Sequence, residues 1–259
     1  MKPVGVGEVD EQKKLTLENK YKNKEYVGCS HEKHCVTFKD LGTGKILNYD
    51  WPDLVATDDY DNKRMFNETI GSKIQNILDG YSMCVIAYGQ TGSGKTHSLV
   101  GKLGVFKNPP SDNLDNLDDN LGMFPRTALA LFQGLQAKPE KSFMTITICE
   151  AVWLHPMDLT TKKSIWMDPN TNELMGGTEH LIESYKDIFR LGAIFESERT
   201  VGSTKFNATS SRTHALIWIR IYQKTGKDSY RMNHVKILDL AGSERSCQVA
   251  DNDPTKLDG

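Results

Sequence analysis

The run Gly89-Gln90-Thr91-Gly92-Ser93-Gly94-Lys95-Thr96 sets glycines at its first, fourth and sixth positions, then follows the last with a lysine and a hydroxyl. Glycine lets the backbone curl so that successive N–H groups point inward at phosphate oxygens. A helix starting at the lysine adds a partial positive charge at the same place. Lys95 is then spaced to reach β- and γ-phosphates, and the Thr96 hydroxyl to ligate magnesium. The chemistry implied is binding of a purine nucleoside triphosphate, ATP, with Mg2+. The bland alternative is a chance match in a glycine-rich turn. Against it stands Met83-Cys84-Val85-Ile86-Ala87-Tyr88, an apolar run too short for a helix and bounded by glycine. It reads as a buried strand delivering the chain to the loop.

Two further segments carry groups suited to a terminal phosphate. Asp239 ends the apolar run Val235 to Leu238, where an aspartate can hold a magnesium shell through water. Gly242, three residues on, can bring a backbone N–H close to a γ-phosphate. The run Asn207-Ala208-Thr209-Ser210-Ser211-Arg212 sets hydroxyls beside an arginine just before a strand. An ordinary polar loop is the plain reading. The functional one has Ser210 and Ser211 meeting magnesium and γ-phosphate while Arg212 pairs with Glu244. That pair would close only with both loops, a nucleotide-dependent latch.

The elements that must position these groups follow from periodicity. Apolar residues between Asp61 and Leu78 form a helical stripe ended by Gly80. Residues 107–120 are rich in Pro, Asn and Asp and read as a solvated loop. Helices are expected over Pro125–Leu135 and Ser184–Phe195, and strands over Phe143–Ile148, Ala215–Ile221 and Val235–Leu240. Helices alternating with buried strands imply an α/β, three-layer domain: a central mixed β-sheet flanked by helices, of P-loop NTPase type.

Composition sets the outer bounds. The 259 residues are 38% hydrophobic and 25% charged, with a formal net charge of -2. That balance suits a soluble domain and gives no global pull toward nucleic acid or membrane. No apolar run approaches the ~20 residues of a membrane helix, and the start, Met1 to Lys14, has no signal-peptide core. Five cysteines without a framework imply reduced thiols in the cytosol. Cys29, His31, His34 and Cys35 cluster within one short stretch but lack the paired spacing of a zinc finger, so they read as surface and strand residues.

Together, Tyr88 to His97, Asn207 to His214 and Asp239-Leu240-Ala241-Gly242-Ser243-Glu244-Arg245 resemble a kinesin motor domain, from about residue 45 to the end. Gly122-Met123-Phe124-Pro125-Arg126, Gly177-Thr178-Glu179-His180, Arg199-Thr200 and Asn48-Tyr49-Asp50-Trp51 support the likeness. It implies magnesium-dependent ATP hydrolysis coupled to microtubules, in the cytoplasm on the cytoskeleton. Carried over by motif, the phosphate loop Gly89, Gln90, Thr91, Gly92, Ser93, Gly94, Lys95 and Thr96 cradles the phosphates. Thr96, Ser210 and Asp239 face magnesium; Ser211 and Gly242 face the γ-phosphate; Arg212 and Glu244 form the latch. His97 resembles the residue that stacks on adenine. Lys162 and Lys163 fall where the family has a tubulin-facing loop, though solvated surface lysines are as good a reading.

The likeness has departures. The family opens on a strand bearing Arg-x-Arg-Pro, walling the adenine pocket; here only Lys2-Pro3 stands for its end, with lysine for arginine. The family's Glu-Ile-Tyr-Asn-Glu appears as Cys149-Glu150-Ala151-Val152-Trp153, retaining only the first acid. The relay helix, the main tubulin-binding segments and the last central strand have no counterpart before Gly259. The expectation is therefore a single partial motor domain over residues 1–259, binding microtubules through its intact parent and weakly by itself. With both neighbouring strands missing, Met83–Tyr88 would present an open edge to a partner chain or the N-terminal segment. A non-motile nucleotide-binding module in a microtubule assembly is the alternative reading. A GTPase or myosin relative is the distant one, and the loop spellings argue against it.

Overall fold

In the N-terminal residues, turn chemistry decides where the chain reverses. The Asp40 carboxylate accepts the amides of Gly42 and Thr43 at 3.0 and 2.9 Å. That self-capped turn joins strand β2 (Cys35–Asp40) to β3 (Ile46–Asp50), and β1 (Lys24–Ser30) pairs antiparallel on the other side of β2. The His34 ring nitrogen hydrogen-bonds the Asp53 carbonyl. These strands come from a computed structural model, which describes residues 24–30, 32–57, 60–107, 117–138, 141–152, 155–170, 174–205, 213–227 and 229–243. Contacts divide the chain into two compact units, Asp61–Ser243 forming the larger.

The larger unit is built on period-two burial. In strand β10 (His214–Lys224), Ala215, Ile217, Ile219 and Ile221 share a face and are almost wholly buried. Directly opposite lie Val235 and Ile237 of β11 (Tyr230–Asp239) and Met144, Ile146 and Ile148 of β5 (Ser142–Val152). Both pairings are antiparallel, whereas β4 (Met83–Ala87) joins β11 in parallel, so the sheet is mixed. Its order is β4-β11-β10-β5-β6, with β6 spanning His155–Asp158; β9 (His180–Leu181) pairs with β5. A separate two-stranded ladder joins β7 (Trp166–Met167) to β8 (Leu174–Met175).

Helices flank this sheet, as the α/β reading expects. Helix α4 (Met123–Gln136) contributes Phe124, Leu129 and Leu131 to the core, and α5 (Tyr185–Lys205) contributes Ile188, Leu191 and Phe195. Side chains buried to this degree each stabilise by about 1.5–3 kcal/mol. Three expectations need correction. The stripe from Asp61 to Leu78 is not one helix but α1 (Asn62–Glu68), a 3₁₀ turn (Gly71–Lys73) and α2 (Ile74–Leu78). The Thr69 hydroxyl donates back to the Met65 carbonyl at 2.6 Å, a bond that competes with helix continuation. Helix α5 runs ten residues past Phe195: the polar run Glu196-Ser197-Glu198 lies within it, its two carboxylates held by the Gly104 amide and Lys162, rather than ending it. Finally, β4 is a strand but not a buried one: Ile86 is 57% exposed.

Candidate functional site

The loop leaving β4 closes onto helix α3 (Lys95–Leu99) through glycine geometry. Gly94 caps the helix at φ +90°, a left-handed conformation that disfavours any side chain. At Gly89 a Cβ would sit 2.7 Å from the Ser93 hydroxyl, which would have to move to admit one. Ser93 N–H donates to the Gln90 carbonyl at 3.2 Å, closing that turn. Lys95 Nζ folds inward and donates to the Gly89 and Gln90 carbonyls at 3.0 and 2.8 Å. The ammonium is thus held at the floor of the loop.

Parallel pairing of β11 with β4 sets Asp239 opposite Ala87 and so beside this loop. The Thr96 hydroxyl donates to Asp239 Oδ2 at 2.6 Å, joining residues 143 apart in sequence. Arg199 of α5 pairs with the same oxygen at 3.4 Å, with both side chains buried. Asp239 Oδ1 is buried and accepts no hydrogen bond among the described residues. A buried carboxylate oxygen without a donor is costly, and it is the kind of atom a hydrated cation satisfies. Carboxylate and hydroxyl are also hard oxygen donors that suit magnesium. A cavity of about 320 Å3 opens here, lined by Thr91, Gly92, Gly94, Lys95, Thr96 and His97 of the loop, with Arg199, Asp239 and Leu240 opposite.

The backbone after Asp239 is stitched to its neighbours almost donor by donor. Leu240 N–H donates to Ala87 O at 3.3 Å and Ser243 N–H to Gly89 O at 2.9 Å. Ala241 N–H donates to His214 Nδ1 at 3.1 Å. Among the described residues, Gly242 N–H has no acceptor. The structure therefore brings together Gly89 to His97, Asp239 and Gly242. The His97 ring is exposed, and its carbonyl accepts from the Asn62 amide at 3.0 Å. Pro3, Ser210, Ser211, Arg212 and Glu244 lie outside the described residues.

Sequence reasoning passed over Arg199, noted only as part of a lead-in segment. An arginine inside a helix carries no spacing signal; only its pairing with Asp239 marks it. Glu150 also gains a role, accepting the Thr213 hydroxyl at 2.6 Å and pinning the start of β10. The turn bearing Lys162 and Lys163 is organised by Asp158, whose carboxylate accepts the Thr160 hydroxyl at 2.6 Å and the Thr160 and Thr161 amides at 2.7 and 3.0 Å. Burial pushes that carboxyl up, but these bonds and the Thr178 amide outweigh it and hold it below the usual range. Lys162 sits at φ +59° and pairs with Glu198, while Lys163 is exposed. Burial pushes the Cys149 thiol up to about 12, leaving it inert.

With this geometry in hand, the likeness to known proteins is specific. The family model for the kinesin motor domain matches residues 10–258. The chain is 33% identical over 236 residues to chromosome-associated kinesin KIF4 of Xenopus laevis, covering 84% of this chain and 18% of that protein. It is 32% identical over 202 residues to kinesin-like protein unc-104 of Caenorhabditis elegans, 71% of this chain and 12% of that one. It therefore spans less than a fifth of the length of these relatives. A solved structure described as "Structure of a fast kinesin: Implications for ATPase mechanism and interactions with microtubules" shares the fold. Its TM-score is 0.70 at 23% identity, covering 87% of this chain and 62% of that chain. On the family match and these identities, the chain belongs to the kinesin motor-domain family.

Proposed function

We propose that this chain is the ATP-binding and hydrolysing core of a microtubule motor. One observation carries the reading: Thr96 and Asp239, 143 residues apart, meet at 2.6 Å beside the glycine loop, with Asp239 Oδ1 buried and without a donor among the described residues. When bound, Mg2+ and ATP supply a polarised γ-phosphate whose developing charge is shared with the metal. The chain's own residues do the rest. Lys95 exchanges its two loop carbonyls for phosphate oxygens, keeping its charge satisfied in both states. Thr96, Ser210 and Asp239 hold the magnesium shell, and Arg199 stands in for the cation's charge at Asp239 when no metal is there.

Gly242 contributes its uncommitted N–H to the γ-phosphate, and Ser211 orients the attacking water. Arg212 and Glu244 close as the latch, His97 stacks on the base, and Pro3 walls it. ADP and ATP share all but the γ-phosphate contacts. Microtubules are the partner, reached in part through the Asp158 turn with Lys162 and Lys163. Membership of the kinesin motor-domain family supports a cytoskeletal setting.

Steady-state ATPase measured with and without microtubules tests the reading. Stimulated turnover in the full-length protein is the expected result. Nucleotide binding without any microtubule response favours the non-motile module, and preference for GTP contradicts the assignment altogether.

A further inference from the structure

We infer that His214 is a positioning residue for γ-phosphate sensing: its ring holds the peptide that precedes Gly242. The inference rests on the ATPase reading above and deepens it. The β10–β11 ladder ends at the pair Ala215 and Asp239. Past that pair the chain turns toward β4, with Leu240 N–H on Ala87 O. Ala241 N–H thereby leaves the reach of the β10 backbone, and the His214 ring takes it instead, Nδ1 accepting at 3.1 Å. An imidazole accepts there only as the neutral tautomer with its proton on Nε2.

The consequence is local and specific. Among the described residues, the amide of the Ala241–Gly242 peptide is the donor left over. The peptide before it is fixed by His214, and the one after it by Ser243 N–H on Gly89 O. Bracketed on both sides, the Gly242 N–H is held in one orientation ahead of need, which is what electrostatic preorganisation requires. His214 is itself anchored. Its neighbour Thr213 is almost fully buried and donates to Glu150 at 2.6 Å, and its own backbone pairs opposite Ala151. The ring therefore links the first residues after the Ser210-Ser211-Arg212 run to the segment carrying Gly242. Its contact is with the Ala241 amide, so it acts through the peptide that positions Gly242.

The test compares His214→Leu, which keeps bulk without an acceptor, with His214→Asn, which restores an acceptor at the δ position. His214→Ala serves as the acceptor-free variant if His214→Leu does not fold. Orphaning the Ala241 N–H should slow kcat about tenfold while MgADP affinity stays within about twofold, because ADP does not call on Gly242. Hydrogen exchange of the Ala241 amide in nucleotide-free protein should rise about tenfold. His214→Asn should bring both back to within about threefold of wild type. Undiminished kcat in the acceptor-free variant, no rescue by asparagine, or equal loss of MgADP binding each overturn the inference. A wild type that binds no nucleotide overturns the ATPase reading itself, and this inference with it; the failing wild type tells the two apart.

Discussion

Asp239 is a buried carboxylate with one oxygen shared by Thr96 and Arg199 and the other without a donor among the described residues. Removing the arginine leaves that charge with no ion-pair partner among the described residues, and breaking a buried pair typically costs about 3–5 kcal/mol. Arg199→Met should therefore lower the melting temperature of the nucleotide-free protein markedly. Saturating MgADP should recover much of the deficit, since the cation then serves the same carboxylate. Equal deficits with and without MgADP would show that Arg199 is a plain structural partner. Lys95, Thr96, Asp239 and Gly242 were legible in the sequence because motif spacing encodes them. Arg199 and His214 were not: their roles come from tertiary contacts 40 and 27 residues along the chain.

Strands and helices were legible in kind more than in extent. Periodicity found β5, β10 and β11, but each runs beyond the apolar stretch that revealed it, since ladder pairing continues through Gln223 and Lys224. The break after α1 escaped notice because the apolar stripe continues across it while the Thr69 hydroxyl interrupts the backbone. The Asp158 turn gives this scale its prediction. Burial acts to raise the Asp158 carboxyl, yet its hydrogen bonds lower it overall. A carboxyl depressed in the folded state adds stability above its unfolded value, near pH 4, and loses it as pH falls through the folded value. Asp158→Ala should thus cost about 1–3 kcal/mol at pH 7, by leaving the Thr160, Thr161 and Thr178 donors unmet. The gap to wild type should shrink below about pH 4. Urea denaturation at pH 7 and under acid conditions reads it, and a gap independent of pH would contradict the assignment.

For the whole molecule, the sheet ends at β4, which is paired only with β11 among the described residues. Cys84 and Ile86 are exposed along it, and Tyr88 just beyond. An apolar strand with an open row of backbone groups is a template for another chain. The isolated chain should therefore self-associate, or need a partner strand, in light scattering after size-exclusion chromatography. A stable monomer with fast microtubule-stimulated ATPase would contradict this. The composition of Met83–Tyr88 suits a buried centre and by itself revealed the strand but not its exposure; the open edge was expected only from the lack of neighbouring strands.

The central claim is that ATP and Mg2+ bind at the loop Gly89–Thr96, and titration with fluorescent ATP tests it most directly. Wild type should bind in a magnesium-dependent manner, and Lys95→Ala, which removes the charge meant for the β- and γ-phosphates, should bind undetectably or far more weakly. Wild-type affinity in Lys95→Ala would contradict the account.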